Sequence, residues 1–185
     1  GDINMAAQTT LQLVTTLGVR MEDPDELDFT SAQKVSALNY AQEKTARMLD
    51  SSYLTELQEV TLAITMISYT FLFTDLTYEL LNGSASIIAV TDANGVFQTQ
   101  TTLKQQRRLE NSLLAADATN PVYYIFDEKV FVANGGNSND NMNCFYIREP
   151  ATMVSSGQAP MINEALYDIM LRFAEASLWL ADDNL

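Results

Sequence analysis

From Val122 to Val132 the chain reads Val122-Tyr123-Tyr124-Ile125-Phe126, then Asp127-Glu128, then Lys129-Val130-Phe131-Val132. Aromatic and β-branched side chains dominate both runs, which suits the half-buried surface of a sheet. Two acidic residues separate them, so the spacing predicts antiparallel strands joined by a two-residue hairpin turn. A further strand, Cys144 to Arg148, follows a stretch from Asn134 to Asn141 whose Asn and Gly content predicts a loop. The middle of the chain is therefore expected to be rich in β-structure.

The two ends carry a helical period instead. Leu13, Val14 and Leu17 predict a short helix over about 9–17 that stops at Gly18, since glycine takes the left-handed conformation of a helix end without strain. An acidic turn follows from Met21 to Glu26. Thr30 or Ser31 then caps a second helix reaching about Leu49, with Val35, Leu38, Ala41, Thr45 and Met48 near one face. These two helices are expected to pack together.

Pro160 opens the last helix, and Asn163 is a second candidate cap. Ile162, Leu166, Ile169, Phe173, Ala176 and Leu180 make one apolar stripe, while Met170, Leu171, Ala174, Leu178 and Trp179 widen it. Glu164, Asp168, Arg172 and Glu175 leave only a narrow polar strip, in which Asp168 and Arg172 are spaced as an i,i+4 ion pair. A helix apolar on most sides is expected to be buried on most sides, by a neighbouring subunit where one protomer does not reach.

Between the ends, Val60 to Thr65 and Tyr69 to Phe73 read as strands, although Leu54 to Ile67 also fits a helix. Asn82-Gly83-Ser84 marks a break before a strand at Ile87 to Val90. Asp92-Ala93-Asn94-Gly95 predicts a hairpin turn feeding another strand. Leucines at helical spacing predict a helix over about 102–116 that carries Lys104, Arg107 and Arg108, the densest basic cluster in the chain. The expected fold class is α+β: a helical bundle from the N- and C-terminal helices with an antiparallel β-rich middle region. It is read as a single domain over 1–185, helical at 1–52 and 160–185, with a β-rich insertion at about 58–150.

The chain has 24 acidic against 10 basic side chains, a net charge of −14, and no histidine. Such a field repels phosphates, which argues against sequence-specific DNA binding but is compatible with DNA sliding past. Without histidine there is no Ser-His-Asp or Cys-His relay, and the glycines form no phosphate loop. The acidic pairs Glu22-Asp23, Asp127-Glu128 and Asp182-Asp183 fall at turns or near the C-terminus, where solvated acids are common. Cys144, the only cysteine, reads as a small buried hydrophobe. The Asn-rich loop holds a single acid, Asp140, too few for a calcium site. Asn82-Gly83-Ser84 fits a glycosylation pattern, but no secretory segment accompanies it. The longest apolar run, Leu62 to Phe73, is shorter than the roughly 20 residues of a membrane-spanning helix. A soluble, non-enzymatic chain with no cofactor and no metal is expected. The alternative is an acidic soluble enzyme or small-molecule-binding domain that uses a carboxylate site.

The order of Pro121-Val122-Tyr123-Tyr124-Ile125, acidic turn, Val130-Phe131-Val132, gap, Phe145-Tyr146-Ile147-Arg148-Glu149-Pro150, loop and long helix resembles the C-terminal half of head-to-tail adaptor, or connector, proteins of tailed bacteriophages. That resemblance implies a homo-oligomeric ring of about twelve copies with closed cyclic symmetry. It further implies a portal protein above, a tail tube, nozzle or second ring below, and non-specific passage of DNA through the channel. The implied location is the head-to-tail junction of the virion, after assembly in the host bacterial cytoplasm. Candidate contacts with a neighbouring subunit or the portal are Lys104, Arg107, Arg108, Phe173, Leu178 and Trp179.

Overall fold

The computed structural model of the chain describes residues 8–102, 120–133 and 140–182. The chain divides into two compact units, Gly1–Leu57 with Pro150–Leu185, and Gln58–Glu149. Helices make the first and sheets the second, an α+β chain.

In the helical unit, α1 spans Thr10–Arg20 and α2 spans Ser31–Met48. Both begin in the same way. Thr9 and Thr30 each accept from the N–H three residues on, and the Gln12 and Gln33 side chains accept in return from the Thr9 and Thr30 N–H groups. Each reciprocal pair satisfies two donors that a helix start leaves open. The last helix, α3, spans Tyr167–Asp182 and is preceded by a 3-10 turn at Glu164–Leu166. Asn163 caps that turn by accepting from Ala165 N–H at 3.0 Å, so Pro160 lies outside the helix, in the buried approach to it.

Two expectations about these helices change. The first helix runs through Gly18 to Arg20. A Cβ at Gly18 would stand 3.1 Å from the Asp23 carbonyl oxygen and 3.2 Å from the Lys34 ammonium, so glycine is there for close approach and not for termination. On α2, Met48 is exposed, and the buried face holds Lys34 and Gln42 beside Ala37, Leu38, Ala41 and Thr45. Specific partners hold these two polar side chains inside.

The β unit contains two sheets. The first has the order β1-β7-β3, from Gln58–Thr65, Asn141–Ile147 and Ile87–Asp92, all antiparallel. The second has the order β2-β6-β5-β4, from Thr70–Leu72, Lys129–Ala133, Val122–Phe126 and Thr99–Gln100. Its β4–β5 pair is parallel and the others antiparallel. The segment that fitted either a helix or a strand, Leu54 to Ile67, opens with a 3-10 turn at Thr55–Leu57 and continues as β1; a further 3-10 turn, Ser51–Tyr53, precedes it. Alternate residues of β6 and β7, Val130, Val132, Met142, Cys144 and Tyr146, are buried in one cluster with Phe71, Val90 and Tyr123.

The β5–β6 hairpin forms where the sequence predicts it. Asp127 and Glu128 have φ of +52° and +56°, the pair of left-handed residues that a two-residue turn requires. Tyr124 faces Phe131 across the strands with rings stacked at 4.7 Å. The turn after β3 also forms: Asp92 accepts from Asn94 and Val96 N–H at 2.8 Å, and Gly95 takes φ +82°. Its returning arm, however, meets β3 only at the Thr91–Phe97 bridge, and β4 then joins the other sheet beside β5. The helix expected over about 102–116 and most of the Asn-rich loop lie outside the described residues.

Neither Asp nor Glu is the residue best suited to a left-handed turn. Replacing Asp127-Glu128 with Asn-Gly is expected to raise unfolding free energy by about 1 kcal/mol, read as a higher urea midpoint at unchanged slope. An unchanged midpoint would mean that the turn geometry costs nothing.

Candidate functional site

In the acidic turn after α1, Glu22, Asp25 and Glu26 are exposed as solvated acids, but Asp23 is not. Asp23 is 3% exposed and Lys34 is 1% exposed, and they meet at 3.0 Å. The Lys34 ammonium also donates to the Asp23 backbone carbonyl at 2.7 Å. The carboxylate accepts main-chain N–H bonds from Leu27, Asp28 and Phe29. Burial works against ionisation of Asp23, but the Lys34 ammonium and those three N–H groups outweigh it and lower its pKa to about 2. The loop from Asp23 to Phe29 is thereby wrapped around one fixed charge.

That loop positions a residue of the terminal helix. Phe29, held by its N–H bond to Asp23, meets Trp179 edge to face with ring centroids 6.3 Å apart. Toward the other end of α3, Asp168 bonds Arg20 of α1 and Arg172 of its own helix, the latter at 2.9 Å. Hydrogen bonds from Arg20 and then Arg172 hold the Asp168 carboxyl below its ordinary pKa. The expected Asp168–Arg172 pair is therefore present and extended to a third residue.

Within α3 the buried residues are Tyr167, Met170, Leu171, Ala174 and Leu178. Of the stripe Ile162, Leu166, Ile169, Phe173, Ala176 and Leu180, Ile162 is buried and Leu166 half-buried, but the part on α3 turns outward. Ile169 is 46% exposed, Ala176 and Leu180 are exposed, and Phe173 is half-buried. The helix buries one face, not most of its circumference. Because both faces are apolar, periodicity alone does not choose between them; the contacts at Phe29, Arg20 and α2 do.

The candidate contact residues separate accordingly. Trp179 is 48% exposed and Phe173 half-buried, so both present area outside the protomer core. Leu178 is 5% exposed and belongs to the core, which removes it from the contact set. Lys104, Arg107 and Arg108 lie outside the described residues. Sequence reasoning missed Ile169 as an outward residue and Lys34 and Asp23 as an inward pair. The only signal for that pair was a lysine among the apolar positions of α2.

Other chemistry is sparse in the described residues. Cys144 is fully buried, and burial pushes its thiol up to about 12, far from a reactive thiolate. Of the acidic pairs, Asp127 and Glu128 occupy the hairpin turn and Asp182 ends α3. Among the described residues, no group of three or more His, Cys, Asp or Glu side chains gathers to hold a metal, and no helix is long and apolar enough to cross a membrane. A scan of protein-family models and a search of curated proteins return no match for the chain.

Because its folded pKa lies below the unfolded value, Asp23 contributes stability that is present above pH 3.8 and lost as pH falls through about 2. Carboxyl-detected NMR should place its midpoint near 2. A midpoint at the ordinary Asp value would mean that the pair is not formed. Lys34→Met leaves a buried carboxylate without its cation, and the melting temperature is expected to fall by roughly 10 °C, more than for the double change Lys34→Met with Asp23→Asn.

Proposed function

We propose that this chain is a structural, non-catalytic ring subunit of the bacteriophage head-to-tail adaptor kind, joining a portal to tail components and lining a DNA exit channel. The observation that carries the self-associating part of this reading is the outward strip of α3, where Ile169, Phe173 and Ala176 recur at i, i+4 and i+7 opposite the buried face. Exposed Trp179 adds an aromatic side chain of the type enriched at interface hot spots. A monomer gains nothing from a second apolar face on one helix, whereas a closed ring covers it with the next copy.

The resemblance of Tyr123 to Val132 and Phe145 to Pro150 to adaptor proteins supplies the rest of the reading: about twelve copies, a portal on one side, and a tail tube, nozzle or second ring on the other. Its place is the head-to-tail junction of the virion, reached by assembly in the host cytoplasm. The net charge of −14 suits a channel wall that DNA passes without sticking.

Two outward substitutions, Ile169→Glu and Ala176→Glu, are expected to weaken self-association by at least about tenfold and to leave monomer stability within roughly 0.5 kcal/mol. Sedimentation velocity and thermal melts read the two effects separately. A wild-type chain that stays monomeric up to roughly 100 µM would overturn the ring reading.

A further inference from the structure

The β unit carries an open groove of about 520 Å³ lined by Phe73, Leu76, Tyr78 and Leu80, with Glu79 and Glu128 as the charged side chains of its wall. Backbone donors fix its shape. Phe73 N–H donates to the Glu128 carbonyl at 3.0 Å and Glu149 N–H to the Glu79 carbonyl at 2.9 Å. Tyr78 N–H donates to the hydroxyl of buried Tyr146 at 3.1 Å, and Thr77 N–H to the Thr61 hydroxyl at 2.9 Å. A groove held by its own hydrogen bonds loses little entropy on being filled.

No ion pair engages Glu79 or Glu128 among the described residues. The groove thus combines apolar side chains with two carboxylates that no ion pair engages, beside the single guanidinium of Arg148. One face of the Tyr78 ring already carries the Arg148 guanidinium, 4.1 Å from the centroid, so the aromatic wall is of a kind that accepts cations. Being open, the groove suits a stretch of chain with Lys or Arg beside an apolar side chain better than an enclosed small molecule.

The sequence contains one concentrated stretch of that chemistry, Leu103-Lys104-Gln105-Gln106-Arg107-Arg108-Leu109. It holds three of the ten basic side chains. Of the others, Arg20, Lys34, Arg47 and Arg172 are already in ion pairs. We infer that the groove bounded by Glu79 and Glu128 on one protomer receives the Lys104–Arg108 segment of a second copy. This rests on the self-association reading above and names a contact for it separate from the α3 strip.

The first test uses a synthetic peptide of residues 102–110 and, as receptor, the full chain carrying Lys104→Glu, Arg107→Glu and Arg108→Glu, so that its own segment does not compete. The peptide should bind, and Glu79→Gln with Glu128→Gln in the receptor should weaken it at least about tenfold, as should high salt. Circular dichroism checks that both receptors are folded. Absence of binding, or binding indifferent to the two Glu→Gln changes, overturns the proposal. The second test mixes that segment-reversed chain with a groove-reversed chain, Glu79→Lys with Glu128→Lys. The mixture should associate more tightly than either chain alone. Peptide binding without association in the mixture would overturn the assignment of the occupant to a second copy. Association of the mixture with no assembly beyond a pair in the wild type would instead sink the ring reading and leave the groove contact standing.

Discussion

The helical unit depends on the buried pair of Lys34 and Asp23. A lysine with 1% exposure needs a partner that neutralises and hydrogen-bonds its charge, and both the carboxylate and the backbone carbonyl of Asp23 supply that. The space comes from α1, where Gly18 lacks the Cβ that would stand 3.2 Å from the ammonium. One residue from α1, one from the turn and one from α2 therefore specify each other. Replacement by apolar residues of equal size would keep a core, since such pairs contribute less to net stability than their geometry suggests. The pair's contribution is to fix the path of the loop to Phe29.

Two side-chain amides of α2, buried Gln42 and half-buried Asn39, hold the approach to α3. Gln42 accepts from Met161 N–H at 2.6 Å and donates to the Ala151 carbonyl at 3.2 Å. Asn39 makes the same two-sided clamp on Met153, accepting from its N–H at 2.8 Å and donating to its carbonyl at 3.0 Å. An irregular segment has no ladder to satisfy its main chain, so side-chain amides from α2 take that role. With the approach clamped and Trp179 resting on Phe29, α3 is held in one rotation about its axis. That rotation leaves Ile169 and Ala176 outward, which links the buried polar contacts to the proposed subunit face.

Backbone strain in the β unit is placed where ladders end or bend. Ala63 has φ +54° at a bulge in edge strand β1, and its N–H donates to Asn143 at 3.0 Å. Asn143 in turn donates to Thr91 and to the Asp92 carbonyl, so one side chain of β7 bonds both of its neighbours. A bulge of this kind twists an edge strand and makes it a poorer template for unwanted pairing. The Asp127-Glu128 turn uses the same left-handed conformation at the far end of β5, and its Glu128 carbonyl accepts from Phe73 at the rim of the groove.

What the sequence determined by itself was whatever depends on neighbours in the chain. The capping box at Thr30, the strands on either side of Asp127-Glu128, the Asp92–Gly95 turn and the i,i+4 pair of Asp168 and Arg172 all follow from spacings of a few residues. The α+β class follows from the change of period between the ends and the middle. What only the tertiary structure decided was which of two acceptable local answers is used. The outer and inner faces of α3 are both apolar, and packing against residues far away in sequence selects Met170, Ala174 and Leu178 for the core. Lys34 and Gln42 are polar residues whose burial depends on partners distant in the chain, at Asp23, Ala151 and Met161. The strand after the Asn94-Gly95 turn was expected beside its predecessor and pairs with β5 instead. In each case local propensity is degenerate, and the free energy that breaks the degeneracy comes from contacts between residues distant along the chain.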